Sequence, residues 1–182
     1  PGQMQFASYG GLEALLKLIP HPSSPPVQRA ACLCLANALQ NNPKLILQTL
    51  AIGRGHRDVP DLVRRAGGIG TLIEMIATAR PDPEVLQKTG GDAAWDEVAL
   101  ATEAAVQALT GAAFVAKTGL FSDGKRTVEK VAKAVGRSGI VVLRKQARMP
   151  VVTKGGGKRA TQDGVRFAKL CYESLESAYG LS

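Results

Sequence analysis

Aromatic residues are scarce in this sequence, which has one Trp, three Tyr and four Phe among its 182 residues. Ala and Leu recur throughout instead, and such side chains allow helices to pack closely against one another. Hydrophobic residues make up 45% of the chain and charged residues 21%, so there is enough apolar material to form a core. The composition therefore excludes a chain that is disordered throughout and predicts an all-α fold.

Thiols and imidazoles are also few. The three cysteines, Cys32, Cys34 and Cys171, cannot all pair with one another. Each lies in a segment with the apolar pattern of a helix, where a free cysteine behaves as a small hydrophobic residue, as is typical of a reducing compartment. With only His21 and His56 in addition, no recognised zinc spacing can be assembled. We expect no metal site and no cofactor.

The sequence also lacks a long apolar run. No segment approaches the roughly 18 consecutive apolar residues of a membrane span, so we expect no membrane contact, and no signal peptide is visible. The chain begins at Pro1, which suggests a processed piece or part of a longer array. We expect an intracellular and most simply cytoplasmic protein, with cytoskeletal or ciliary association and the nucleus as further options.

Positive charge is concentrated in the last third of the sequence. The net charge is +8; residues 1–116 carry nine Lys and Arg against ten Asp and Glu, whereas residues 117–182 carry fourteen against five. Uneven charge of this kind bears on binding partners and not on fold. It favours an acidic protein surface, an acidic tail or RNA, and the alternative is a solvated surface that only maintains solubility.

A pair of helical segments recurs three times. Residues 27–39, VQRAACLCLANAL, carry small and apolar residues at the helical period of about 3.6, and they follow the shorter amphipathic segment GLEALLKLI at 11–19. Similar pairs recur downstream, at 67–73 with 101–109 and, more faintly, at 139–143 with 165–171. Repetition on this scale is typical of a helical solenoid.

Proline, glycine and polar residues predict several helix limits. Pro25 and Pro26 suit the first turn of a helix, because the missing N–H would have no partner there. The Asn41-Asn42-Pro43 run predicts a break and a restart, and Thr161 or Asp163 is expected to cap the last helix. Residues 140–147 are β-branched and could form a strand on propensity alone, but the phase of the repeat predicts a helix.

The order of a Gly-Gly bend, a helix such as LEALLKLI, a loop and then VQRAACLCLANAL resembles the armadillo repeat. The resemblance implies one all-α domain, a right-handed solenoid of three units at 1–40, 41–113 and 114–182. HEAT repeats are the alternative, and the Gly-Gly bend favours armadillo.

Glycine spacing departs from the armadillo pattern. Gly11, Gly68 and Gly139 lie 57 and 71 residues apart, whereas the armadillo period is about 40 to 47 residues. We therefore expect enlarged loops, above all at 80–94 and 149–160.

The resemblance also implies a binding groove. The third helix of each armadillo unit lines a concave surface, and an Asn near its end clamps the backbone of an extended peptide. Asn37 matches that position, while the later units have Gly111 and Ser174 there, and Leu33 and Gln107 stand where a groove tryptophan is frequent. Because only one of the three units has this Asn, the pattern favours binding by shape and charge. The alternative role for this Asn is a hydrogen bond to the turn that follows its helix.

Seven basic residues near the C-terminal end form a second candidate site. They are Arg144, Lys145, Arg148, Lys154, Lys158, Arg159 and Arg166. They would make one patch if the Gly-rich loop at 149–160 folds back over the preceding helix, and such a patch attracts phosphates and carboxylates. The KGGGKR run at 154–159 lacks the P-loop spacing, and only Phe167 and Tyr172 lie nearby to stack on bases.

No set of residues forms a catalytic motif. Asp96 and Glu103 are seven positions apart and could share a helical face, but no nucleophile or histidine converges on them. We therefore expect a non-catalytic scaffold for protein–protein interaction, a subunit of a larger complex that uses the groove and the basic C-terminal surface. The alternative is RNA or ribonucleoprotein binding through the basic surface at 117–169.

Overall fold

A computed structural model describes residue 5 and residues 10–20, 24–89, 91–114, 122–151 and 157–180. These residues form helices and no strand, which confirms the all-α prediction. The helices are α1 (Gly11–Leu18), α2 (Pro25–Leu39), α3 (Pro43–Ala51), α4 (Asp61–Thr78), α5 (Pro83–Thr89), α6 (Gly91–Phe114), α7 (Ser122–Ala147) and α8 (Gln162–Tyr179).

Local signals set several of these helix limits. Pro25 occupies the first turn of α2, and the Asn42 side chain caps α3 by accepting a hydrogen bond from the Leu45 N–H at 3.2 Å. The Thr161 hydroxyl caps α8 by accepting one from the Gly164 N–H at 2.9 Å. Both caps satisfy backbone donors that have no partner within the helix.

Two of the helices are broken by glycine. Gly67 interrupts α4 with φ 54° and ψ −133°, and Gly136 interrupts α7 with φ 61° and ψ −174°. Gly10, with φ 75°, precedes α1 in the same way. Positive φ is the region that glycine enters without a steric penalty. The third bend therefore lies at Gly136, three residues before Gly139, from which the sequence spacing was measured.

The helices pack in two layers. In the first layer α6 lies between α2 and α8. Near the start of α8, a Cβ atom on Gly164 would lie 3.5 Å from Glu103 of α6. Near the end of α8, the Ser174 hydroxyl contacts Ala113 of α6, so contacts occur in the same order along both helices. These two helices therefore run parallel. In the second layer α4 packs against α7, and α3 contacts both.

The core between the layers is aliphatic. The buried residues are mainly Leu, Ile, Val and Ala, and no aromatic side chain of the described residues belongs to the fully buried core. Helix α6 contributes a series of small side chains, the buried Ala101, Ala104, Ala105, Ala108, Ala112 and Ala113. Small residues here agree with the close helix packing that the composition predicted.

The prediction of an enlarged loop at 80–94 is wrong, because most of this segment is helical. Helix α5 spans Pro83–Thr89 and α6 begins at Gly91. Pro83 occupies the first turn of α5, where a missing N–H costs little, and an Asp82 carboxylate oxygen accepts from the Glu84 N–H at 2.7 Å. A proline cluster that suggests a loop therefore starts a helix.

Candidate functional site

The residues of the predicted groove are Leu33, Asn37, Gln107 and Ser174. Asn37 on α2 is exposed, while Leu33 on α2 and Gln107 on α6 are half-buried. Gly111, one turn beyond Gln107, lies against the end of α2, since a Cβ atom there would be 3.8 Å from the Ala36 carbonyl oxygen. Helices α2 and α6 are thus neighbours, and their outward side is called the α2–α6 face below.

Ser174 does not belong to this face. It is buried, and its hydroxyl donates a hydrogen bond to the carbonyl oxygen of Ala113 at 2.9 Å. The prediction that Ser174 lies in the groove is wrong, because the side of α8 that carries Ser174 packs onto α6. Periodicity placed Ser174 at the matching position, but it did not determine how α8 is rotated about its own axis.

Arg159 was predicted as part of a basic patch, and it instead joins two segments of the fold. Its guanidinium contacts the carboxylates of Asp92 at 3.1 Å and Asp96 at 2.8 Å and donates to the Asp92 carbonyl oxygen at 2.7 Å. The Arg159 side chain is only 12% exposed. These bonds fasten residues 157–160 to the start of α6, so this arginine is not available to a partner.

Two more predicted patch residues are engaged within the protein. Arg144 forms an ion pair with Glu176 and lies over the ring of Tyr172 at 5.8 Å. Arg166 pairs with Asp163 at 3.1 Å and lies 5.2 Å from the ring centre of Phe167. Lys154 lies outside the described residues.

Four patch residues remain close together. Arg144, Lys145, Arg148 and Lys158 line a pocket of about 410 Å³ whose other walls include Val141 and Met149. The pKa of Lys158 is lowered, first by burial and then by the charge of Lys145. The seven predicted residues thus do not form one patch, because acidic residues on α6 and α8 bind three of the guanidinium groups.

The two layers differ in charge. Helix α6 contains four acidic residues and no Lys or Arg, whereas α7 contains seven Lys and Arg and two acidic residues. Helix α6 is therefore acidic, and the exposed surface of α7 is basic. The sequence located the excess positive charge in the last third. Which surfaces of the folded protein are acidic and which are basic depends on how the helices pack.

A large apolar cleft between α1 and α4 was not predicted. Its volume is about 1020 Å³, and the segment 52–60 closes one side. Apolar walls come from Leu16, Ile19, Ile52, Val59, Val63 and Met75, and charged or titratable side chains at the rim are Glu13, Lys17, His56, Glu74 and Arg80. No local motif could mark it, because its lining comes from three separate segments.

Two of the three cysteine thiols are made less reactive by burial. Burial raises the pKa of Cys32 and that of Cys171 to about 12, so both stay protonated at neutral pH and are poor nucleophiles. Cys34 is exposed. Within the described residues, no group of three or more His, Cys, Asp and Glu side chains could hold a metal ion. In that same part of the chain, no helix is long and apolar enough to cross a membrane.

No family model, curated protein or solved structure matches this chain.

Proposed function

We propose that this chain is an armadillo-like, right-handed solenoid and a non-catalytic scaffold for protein–protein interaction. The observation that carries the proposal is the repeated order of bend and helices. Gly67 divides α4 into two segments that precede the long α6, and Gly136 divides α7 into two segments that precede α8. Two short helices separated by a glycine bend and followed by a longer third helix are the order of an armadillo unit. Gly10, α1 and α2 correspond to the bend, the second helix and the third helix of such a unit.

The proposed partner-binding surface is the α2–α6 face. Leu33 offers a half-buried apolar contact, and Asn37 and Gln107 add side-chain amides to this surface. Helix α6 carries no Lys or Arg, so a partner segment that is neutral or basic fits this surface. Binding here uses one Asn and not a ladder, so shape and charge would supply the selectivity.

Opposite charge on the two layers supports a place within a larger complex. A partner with an acidic surface can approach α7 while another contacts the α2–α6 face, and complementary potentials of this kind guide association and orientation. The protein would then act as a subunit that joins two neighbours, with no chemistry of its own.

The proposal is tested by capture of partners from a lysate of the native cells, with two matched double variants. Asn37→Arg with Gln107→Arg changes the α2–α6 face, and Gln48→Arg with Gln87→Arg adds the same charge at exposed positions of α3 and α5. We expect the face variant to recover about ten-fold less of the partners identified by mass spectrometry. The control variant should recover them as the wild type does.

Equal recovery by both variants, with unchanged circular dichroism and melting, would remove the α2–α6 face as the binding surface. RNA binding through the basic surface at 117–169 remains the second candidate, because exposed Lys125, Arg126, Lys130 and Lys133 support it. It predicts recovery of RNA and an affinity that falls steeply with salt, since each neutralised phosphate releases counterions. A partner retained at high salt in RNase-treated lysate counts against it.

A further inference from the structure

A second cleft, here called the basic cleft, lies where α3, the first segment of α4 and the first segment of α7 meet. Its volume is about 900 Å³. The apolar side chains in its lining are Leu47, Leu50, Ala51 and Ala134, and the basic ones are Arg54, Arg64, Arg65, Lys130 and Lys133. Of the residues that the structure describes, no carboxylate belongs to the lining, so five cations surround an aliphatic floor. This cleft is formed by helices other than α2 and α6 and is separate from the α2–α6 face.

Most of these cations have no acidic partner. Arg64 forms an ion pair with Asp61, and both side chains are more than half exposed. In the part of the chain that the structure describes, no carboxylate oxygen lies within 4.0 Å of the side-chain nitrogens of Arg54, Lys130 or Lys133. Charge is thus left uncompensated beside the end of α3 and along α7, and an anion placed there would be attracted by all three cations.

Arg65 holds a defined position at the edge of the cleft. One of its terminal nitrogens donates to the Ser138 hydroxyl at 2.6 Å, and a Cβ atom on Gly136 would lie 3.4 Å from the other. The side chain therefore crosses from α4 to the bend in α7. Its anchoring fixes one donor group of the cleft before any ligand arrives, which reduces the entropy lost on binding.

We propose that the basic cleft binds an acidic peptide segment that carries one aliphatic side chain. Guanidinium groups match carboxylates through paired hydrogen bonds, and the floor of Leu47, Leu50 and Ala51 can cover a leucine or isoleucine between the acidic residues. Charge complementarity identifies the anion, and the apolar floor identifies the remainder of the ligand. The inference deepens the proposed function and rests on it, because the segment would belong to a protein partner.

Nucleic acid fits the cleft less well than an acidic peptide. Proteins that bind single strands stack bases on aromatic side chains, and among the described residues none that lines this cleft is aromatic. An aliphatic floor would lie against sugar and phosphate groups without compensating their hydration. The cleft therefore combines charge with apolar contact, which acidic peptides provide and a phosphate backbone does not.

The test measures fluorescence anisotropy of a fluorescein-labelled peptide, EEDLEED, with the full chain. Lys130→Glu with Lys133→Glu reverses two exposed cations of the cleft, and Lys17→Glu with Lys88→Glu reverses two exposed cations on α1 and α5, with the same change in net charge. We expect the cleft variant to bind about ten-fold or more weakly. The control variant should bind within about two-fold of the wild type, because a distant surface charge contributes little at physiological salt.

Two further peptides test the chemistry of the ligand. QQNLQQN, which lacks the charges, should not bind measurably, and EEDAEED should bind about three- to ten-fold more weakly because it loses the apolar contact. Equal affinity for EEDLEED and QQNLQQN would overturn the proposal. Equal loss in both charge-reversal variants would also overturn it, since the peptide would then sense net charge alone. Tighter binding of a seven-nucleotide single-stranded RNA, lost in the cleft variant, would assign the cleft to nucleic acid instead.

The same measurements separate this inference from the proposed function. The Asn37→Arg and Gln107→Arg variant should bind EEDLEED as the wild type does, because neither residue lines the cleft. If partner capture depends on the α2–α6 face while EEDLEED fails to bind, the basic cleft fails alone. If EEDLEED binds as expected while the face variant captures every partner, the assignment of the α2–α6 face fails.

Discussion

The carbonyl oxygen of Ile52 lies 2.7 Å from the position that a Cβ atom on Gly67 would occupy. The Leu50 carbonyl oxygen approaches the same position, so the end of α3 presses against the bend in α4. Gly67 also has φ 54° and ψ −133°, a conformation that residues with a side chain rarely adopt. Glycine is therefore required at position 67 for two reasons: its backbone conformation, and the lack of space for a Cβ atom beside the end of α3.

Replacement of this glycine should be severe. We expect Gly67→Ala to lower the free energy of unfolding by about 3 kcal/mol or more, because backbone strain and a clash with fixed carbonyl groups act together. Gly55→Ala is the matched control, since Gly55 has φ 84° but nothing within 4 Å of the added carbon. It should cost only about 1 kcal/mol. Urea denaturation followed by circular dichroism measures both, and equal effects would show that the approach of α3 is unimportant.

Arg159 should contribute to stability and not to partner binding. Arg159→Met keeps much of the apolar stem and removes the bonds to Asp92 and Asp96. Those carboxylates are 71% and 63% exposed, so we expect a loss of only about 1 to 2 kcal/mol, and less at high salt. Arg148→Met is the control, because Arg148 is exposed, and it should change stability by less than about 0.5 kcal/mol. Similar melting temperatures for both variants would contradict the assignment of Arg159 as a clamp.

The two cap positions of α8 and α2 should differ in their effect. Thr161→Ala removes the hydrogen bond from the Gly164 N–H and should cost about 1 kcal/mol. Ser24 stands at the same position of α2 but makes no capping hydrogen bond with its side chain, so Ser24→Ala should change the free energy of unfolding by less than about 0.5 kcal/mol. Thermal denaturation of the two variants side by side checks the difference, and the reverse order would refute it.

One thiol should react quickly in the folded protein. Burial raises the pKa of Cys32 and Cys171 from the ordinary 9.0 to about 12, while Cys34 is exposed. We expect a disulfide reagent at pH 8 to label one thiol rapidly in the native chain and all three in urea. Cys34→Ser should abolish the rapid phase. Rapid labelling that survives this substitution would mean that the core opens readily.

The same pKa shifts predict how stability depends on pH. The folded chain keeps the Cys32 and Cys171 protons between pH 9 and about 12, whereas the unfolded chain loses them. The contribution of these thiols is therefore complete below pH 9 and declines as the pH rises through this window. Replacement of both by Ala should make the decline in the urea midpoint between pH 8 and 10.5 shallower.

The candidate sites were predictable only in part. The sequence identified Leu33, Asn37 and Gln107 as positions on two related helices, and they remain accessible or half-buried. It also identified the basic C-terminal third, but it could not show that Arg159 binds Asp92, 67 residues away. Ion pairs of this kind depend on which helices become neighbours. The basic cleft was missed for the same reason, because Arg54, Arg64 and Lys130 meet only after three segments pack.

The sequence by itself determined the all-α class, the starts of α2, α3 and α8, and the helix at 140–147. The helix starts follow from contacts within a few residues, such as a proline in a first turn or the cap at Thr161, whereas the helix at 140–147 follows from the phase of the repeat. Tertiary structure decided the rotation of α8 that buries Ser174, the separation of acidic α6 from basic α7, and the clefts. Those features arise from long-range packing. Hydrophobic periodicity alone does not determine the geometry of that packing, because one helical face can meet several neighbours.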